Sequence, residues 1–243
     1  MRVRASSVET IAENDDVSWE DVKNGETWIR LAGYGSLLSA SSARRTCPRM
    51  QRHRLAWVRG YRRIFCLVSL SCVHQGAPYA KWLSKEVAAC AAFPSDSREL
   101  LVVAVFDIPK AELKAYLDRE SQYDFTLVEC FEAETGKCVK AIMCVAPFDL
   151  WKASPDVQPP KKTPRRAYRT CYSGPLWRRD ILPSQPYLDL CMRAARSLGV
   201  LDSFLDNSYL ADGRTCLRKY VQEQERFSSG RAAFTNGEAW NGP

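Results

Sequence analysis

Apolar residues in the first part of this chain come in short runs of strand length, and toward its end they take helical spacing. "TWIRLAGYG" predicts a first strand that stops at its glycines, and "LAWVRGYRRIFCLVSL" predicts one or two strands around Gly60. "ELLVVAVFDI" is apolar without interruption, as suits a strand buried on both faces. After Pro109, "KAELKAYLDRE" sets Leu113, Tyr116 and Leu117 at i, i+3 and i+4, one stripe of a short helix. "YDFTLVECFEAETGKCVKAIMCV" predicts a hairpin turning at "ETGK", where Gly136 can take a positive φ. "SPDVQPPKKTPRR" predicts an extended surface loop, because each proline fixes φ and removes a donor. "YLDLCMRAARSLGVLDSFL" then predicts a helical region with Gly199 as C-cap, and "DGRTCLRKYVQEQERF" a further helix capped by Asp212 or Thr215.

A length of 243 residues, 46% of them hydrophobic, supports one sizeable core. The expected organisation is a single domain over residues 27–227, with flexible segments at 1–26 and 228–243. The apolar runs fall short of the roughly 20 residues of a spanning helix, so no membrane span is expected. The start, "MRVRASSVETIAENDD", lacks the apolar block of a secretory signal. Ten cysteines are present, and Cys66, Cys72, Cys130 and Cys144 lie in apolar segments, where a free thiol acts as a small hydrophobe. That pattern fits a reducing compartment, the cytoplasm.

The formal charge of +7 is uneven. Residues 44–63 hold eight arginines and no acid: Arg44, Arg45, Arg49, Arg52, Arg54, Arg59, Arg62 and Arg63. Such a run is either a solvated, surface-paired face or an anion-binding one, and its interleaved Trp57 and Tyr61 are compatible with stacking on nucleic acid.

The bare turn "LAGYGSLL" invites several chemistries. Gly33 and Gly35 supply two glycines of a dinucleotide fingerprint, but Leu38 takes the place of the third and the hairpins downstream break the β/α alternation. A P-loop lacks its Gly-Lys-Ser/Thr, and Ser36 does not complete a G-x-S-x-G elbow. Cys66, Cys72 and His74 lack the paired spacing of a zinc site, and the chain has only two histidines, so no metal is expected. Catalysis would then fall to a carboxylate. Glu120 stands out because it ends the predicted helix, where the macrodipole disfavours negative charge. It is either an exposed residue paired with Arg119 or a nearby lysine, or a buried acid–base group.

Two separated motifs, "GYGSLL" and "LDRESQYDFTLVE", together resemble the γ-glutamylcyclotransferase-like proteins, with their Tyr-Gly-Ser loop and catalytic glutamate before an aromatic-bearing strand. "TGKCVKAIMCV" is similar to that fold's return strand and "NSYLADGRTCLRKYV" to the C-terminal segment of some members, so the resemblance covers roughly residues 28–222. It implies an α+β fold, a mixed β-barrel with flanking helices. It also implies cyclisation of a γ-glutamyl group to 5-oxoproline with release of an amine, without a cofactor. Glu120 would be the acid–base catalyst, and Tyr34, Gly35, Ser36, Leu37 and Tyr123 would hold the small-molecule γ-glutamyl substrate. The alternative is a non-catalytic barrel acting as a basic nucleic-acid-binding or interaction module.

Overall fold

The computed structural model describes residues 2–3, 27–70, 83–147, 172 and 174–235. The proline-rich stretch and the Cys72/His74 pair lie outside the described residues. The strands are β1 (Arg2–Val3), β2 (Trp28–Gly33), β3 (Gln51–Arg59), β4 (Tyr61–Val68), β5 (Glu86–Pro94), β6 (Leu100–Pro109), β7 (Asp124–Glu132), β8 (Cys138–Val145), β9 (Leu182–Pro183) and β10 (Ser208–Leu210). The α-helices are α1 (Ala40–Arg44), α2 (Leu113–Arg119), α3 (Gln185–Ser197), α4 (Leu201–Asp206) and α5 (Leu217–Thr235).

One sheet runs β1-β7-β3-β6-β2-β8, and a further β7–β8 pairing closes five of its strands into a barrel. The pairings are antiparallel except for a short parallel contact, Leu31 with Ile142 and Ala32 with Met143, where β2 meets β8. β6 lies between β2 and β3, and every residue after Leu100 in it is buried. Its uninterrupted apolar run answers to that position, since neither face meets water.

A second sheet, β10-β4-β5-β9, stacks beside the barrel. β3 and β4 follow one another through Gly60 yet belong to different sheets, so the run expected as one or two strands is two, and it is not a hairpin. Gly60 takes φ +74° at the crossing, donates to the Glu99 carbonyl (2.9 Å) and accepts from the Ser95 N–H (2.8 Å). The β7–β8 hairpin forms as expected, with Gly136 at φ +65°.

The short α2 would be marginal in isolation. Burial of Leu113 and Tyr116, worth about 1.5–3 kcal/mol for each large apolar side chain, fixes it against the barrel. α3 buries Leu188, Cys191, Ala194 and Ala195 on one face and packs over β5 and a 3-10 turn at Ser36–Leu38. Gly199 ends this helical region at φ +70°. The expected cap of α5 is not found: Asp212 instead accepts from the Arg214 and Thr215 N–H groups and closes the turn ahead of the helix, while the Tyr220 N–H reaches Cys216. α5 continues past residue 227 to Thr235. Among the described residues no helix is long and apolar enough to cross a membrane.

The arginines of residues 44–63 go to different places. Arg63 is wholly buried, while Arg52 and Arg30 share Asp107, at 2.6 and 2.9 Å. Arg54 pairs with Glu132, and Arg59 and Arg62 lie over the rings of Phe131 and Tyr209. Five of the eight arginines are thus taken up by the interior, ion pairs and ring contacts, while Arg44, Arg45 and Arg49 are exposed.

Candidate active site

At the end of β2 the chain passes through Tyr34 and Gly35 into the Ser36–Leu38 turn, which the Leu38 N–H closes on the Gly35 carbonyl at 3.0 Å. Three side chains hold this loop from outside. Arg63 Nε donates to the Tyr34 carbonyl (2.8 Å), His53 Nε2 to the Leu37 carbonyl (3.2 Å) and Arg119 to Ser36 Oγ (3.0 Å). The planar trans peptide that turns the Tyr34 carbonyl toward Arg63 must turn the Gly35 N–H the other way. Gly35 has φ −108°, so a left-handed backbone is not what calls for glycine. Space does: a Cβ there would collide with the Tyr187 hydroxyl and lie 3.0 Å from Cys90 Sγ.

Tyr34, Gly35, Ser36, Leu37, Glu120 and Tyr123 all line one small cleft, open to solvent. Residues more than eighty positions apart along the chain therefore meet here. α2 delivers Glu120 as its C-cap, and the Tyr123 N–H donates back to the Glu120 carbonyl (3.0 Å), so the turn into β7 fixes both. Glu120 pairs with Arg119 Nε at 3.0 Å, as an exposed glutamate might be expected to do, yet its side chain is only 14% exposed. The two alternatives drawn from sequence are thus both partly realised: it is ion-paired, and it is largely withdrawn from water at the cleft wall.

The other lining groups are neutral. Burial, first of all, pushes the Tyr34 and Tyr123 hydroxyls well above the ordinary tyrosine range, and the Glu120 charge adds to the effect on both. Tyr187, contributed by α3, is raised in the same way by burial. The thiols of Cys90 on β5 and Cys144 on β8 are raised by burial as well. Glu120 is the one carboxylate among the described lining residues. Tyr123 spends its proton on the Cys90 carbonyl (2.8 Å), which leaves its oxygen lone pairs as acceptors. Among the described residues no three His, Cys, Asp or Glu side chains gather as a metal site.

Sequence reasoning missed Tyr187, Cys90 and Cys144 in the wall and Arg63 and His53 behind it, and it named Arg119 only as a partner of Glu120, not as a support of the loop. Arg63 and His53 were hidden inside the arginine run, where local sequence shows charge but not its acceptors. Arg119 had a signal, its adjacency to Glu120. Tyr187 and Cys90 had none, because their position depends on α3 packing over β5.

No family model matches the chain, and no curated protein matches it. Solved structures similar to it include one described as "Gamma-glutamyl cyclotransferase", 13% identical over 71% of this chain and 81% of that one, with TM-score 0.47. A yeast γ-glutamyl cyclotransferase specific to glutathione is 14% identical over 73% of this chain and 95% of its own, with TM-score 0.44. An AIG2-like protein from Mus musculus is 10% identical over 65% and 96%, with TM-score 0.35.

Proposed function

We propose that this protein is a γ-glutamylcyclotransferase-like enzyme, which closes a γ-glutamyl group on itself to give 5-oxoproline and a free amine. One observation carries the proposal. The only carboxylate among the described cleft residues, Glu120, shares that cleft with the glycine-containing loop that the motif resemblance assigns to the glutamyl group.

The chemistry follows from the groups present. An α-ammonium cannot attack, so Glu120 takes its proton. The freed nitrogen then adds to the γ-carbonyl carbon and closes a five-membered ring. As the bond from that carbon to the leaving nitrogen breaks, the protonated Glu120 gives its proton to the departing amine, and the carboxylate so restored takes the surplus proton of the ring nitrogen and passes it to the same amine, which leaves as an ammonium beside a neutral lactam. Atoms and charge balance without a metal or organic cofactor. The loop serves orientation: holding nucleophile and carbonyl together gives intramolecular reactions effective molarities of roughly 10⁵ M or more. Backbone N–H groups of Gly35 to Leu37 are the donors for the glutamyl group, and the lone pairs of Tyr123 suit an ammonium.

The test is direct. Purified protein is incubated, with a chelator present, with γ-glutamyl amino acids, glutathione and a γ-glutamyl-lysine-type amine, and 5-oxoproline is followed by mass spectrometry. Enzyme-dependent release from at least one compound is expected. No release from any, by folded protein, would remove the proposal.

A further inference from the structure

We infer that Arg119 positions Glu120 and keeps it ready to accept a proton, an inference that rests on the base role proposed above. Its guanidinium reaches out of α2 in several directions at once. Nε meets Glu120 Oε1 at 3.0 Å, one terminal nitrogen donates to the Ser42 carbonyl (3.0 Å) and Thr46 Oγ1 (2.9 Å), and the other to Ser36 Oγ (3.0 Å) and Ser42 Oγ (3.3 Å). One side chain thereby ties the carboxylate to the substrate loop through Ser36 and to α1 through Ser42. Only a planar fork of five donors serves these partners together, so lysine is no substitute.

The electrostatics point the same way. Glu120 stands at the C-terminal end of a helix, where the macrodipole opposes its charge, and little solvent reaches it to compensate. Among the described residues, the titratable groups that feel its charge include Tyr34 on the loop, Cys47 beyond α1, Cys90 on β5, Tyr116 on α2, Tyr123 ahead of β7 and Cys144 on β8. All six are neutral acids when protonated and bring no positive charge to it. Arg119 supplies a positive charge in direct contact. An opposite charge at such a distance favours the ionised carboxylate, the form a base requires.

Two variants and two readouts decide it. In Arg119→Gln the acid limb of the rate profile for 5-oxoproline release should move to higher pH by about one unit, because the carboxylate loses its cation. The rate at neutral pH should fall about 10-fold or more as its orientation loosens. Arg119→Lys should restore the acid limb toward that of the parent while the rate stays low. A purely structural arginine would change melting temperature and leave the acid limb in place. An Arg119→Gln protein with parental rate and acid limb would overturn the inference. If that variant does not fold, Arg119→Lys decides, and a parental rate in it would overturn the positioning role. Carboxyl ¹³C titration of Glu120, identified by its loss in Glu120→Gln, separates the two levels. Absence of 5-oxoproline from the parent defeats the base role itself, whereas an unmoved Glu120 titration in folded Arg119→Gln defeats the assignment to Arg119.

Discussion

Gly35→Ala adds one carbon where the structure has no room for it. That carbon would collide with the Tyr187 hydroxyl and sit 3.0 Å from Cys90 Sγ. Tyr187 cannot simply swing aside, because α3 is anchored by its buried face and the ring lies edge-on to Phe65, with centroids 6.3 Å apart. Overpacking of this kind costs about 1–3 kcal/mol, which for a chain of this size lowers the melting temperature by roughly 2–12 °C. The offending atom can be removed separately. Tyr187→Phe loses the 3.3 Å contact to Cys90, worth about 0.5–1.5 kcal/mol at most, and opens the space. The double variant should then be more stable than the sum of the singles by at least about 0.5 kcal/mol. Urea unfolding of parent, both singles and the double measures this coupling. Additivity within about 0.3–0.5 kcal/mol, or a Gly35→Ala protein as stable as the parent, would refute the packing. A larger Gly35→Val should lose turnover beyond what its instability explains, since the loop is expected to meet substrate there.

Arg63→Met should destabilise by about 3 kcal/mol or more, because the side chain is fully buried and its donors serve the Tyr34 and Val102 carbonyls and Ser208 Oγ. Thermal melts check it, and a fall of less than about 2 °C would contradict that role. Glu132 supplies a pH dependence. Burial acts to raise its pKa, but hydrogen bonds from Thr135 and Arg54 and the Arg54 charge outweigh it and hold the carboxyl below the usual value. A depressed folded-state pKa contributes stability that is present above the unfolded value, about 4.3, and is lost as pH falls through the folded one. Melting temperature should therefore drop more steeply below about pH 4 in the parent than in Glu132→Gln, and parallel curves would refute it.

Local features were legible in the sequence and meetings between distant segments were not. The unbroken apolar run of β6, the Leu113, Tyr116, Leu117 stripe of α2 and the Gly136 turn each announce an element through neighbouring residues. Glu120 could be singled out because a carboxylate at a helix end is locally unfavourable. Closure of the barrel depends on Leu31 finding Ile142 in parallel, which no local pattern encodes. The arginine run hides its pairings for the same reason: the acceptors of Arg63 come from Tyr34, Val102 and Ser208, and Arg52 meets Asp107. Tyr187 reaches the cleft only after α3 has packed over β5 and the loop.

The central claim, that Glu120 performs proton transfer in ring closure, is tested most directly by Glu120→Gln. The amide keeps the shape of the carboxylate but cannot take the proton of an ammonium at neutral pH. Release of 5-oxoproline from whichever γ-glutamyl compound the parent cleaves is measured for both proteins by mass spectrometry, with thermal melts on the same preparations. The expected result is a protein that folds like the parent and turns over about 10²-fold to 10⁴-fold more slowly. A folded Glu120→Gln protein releasing 5-oxoproline at a near-parental rate would contradict the mechanism.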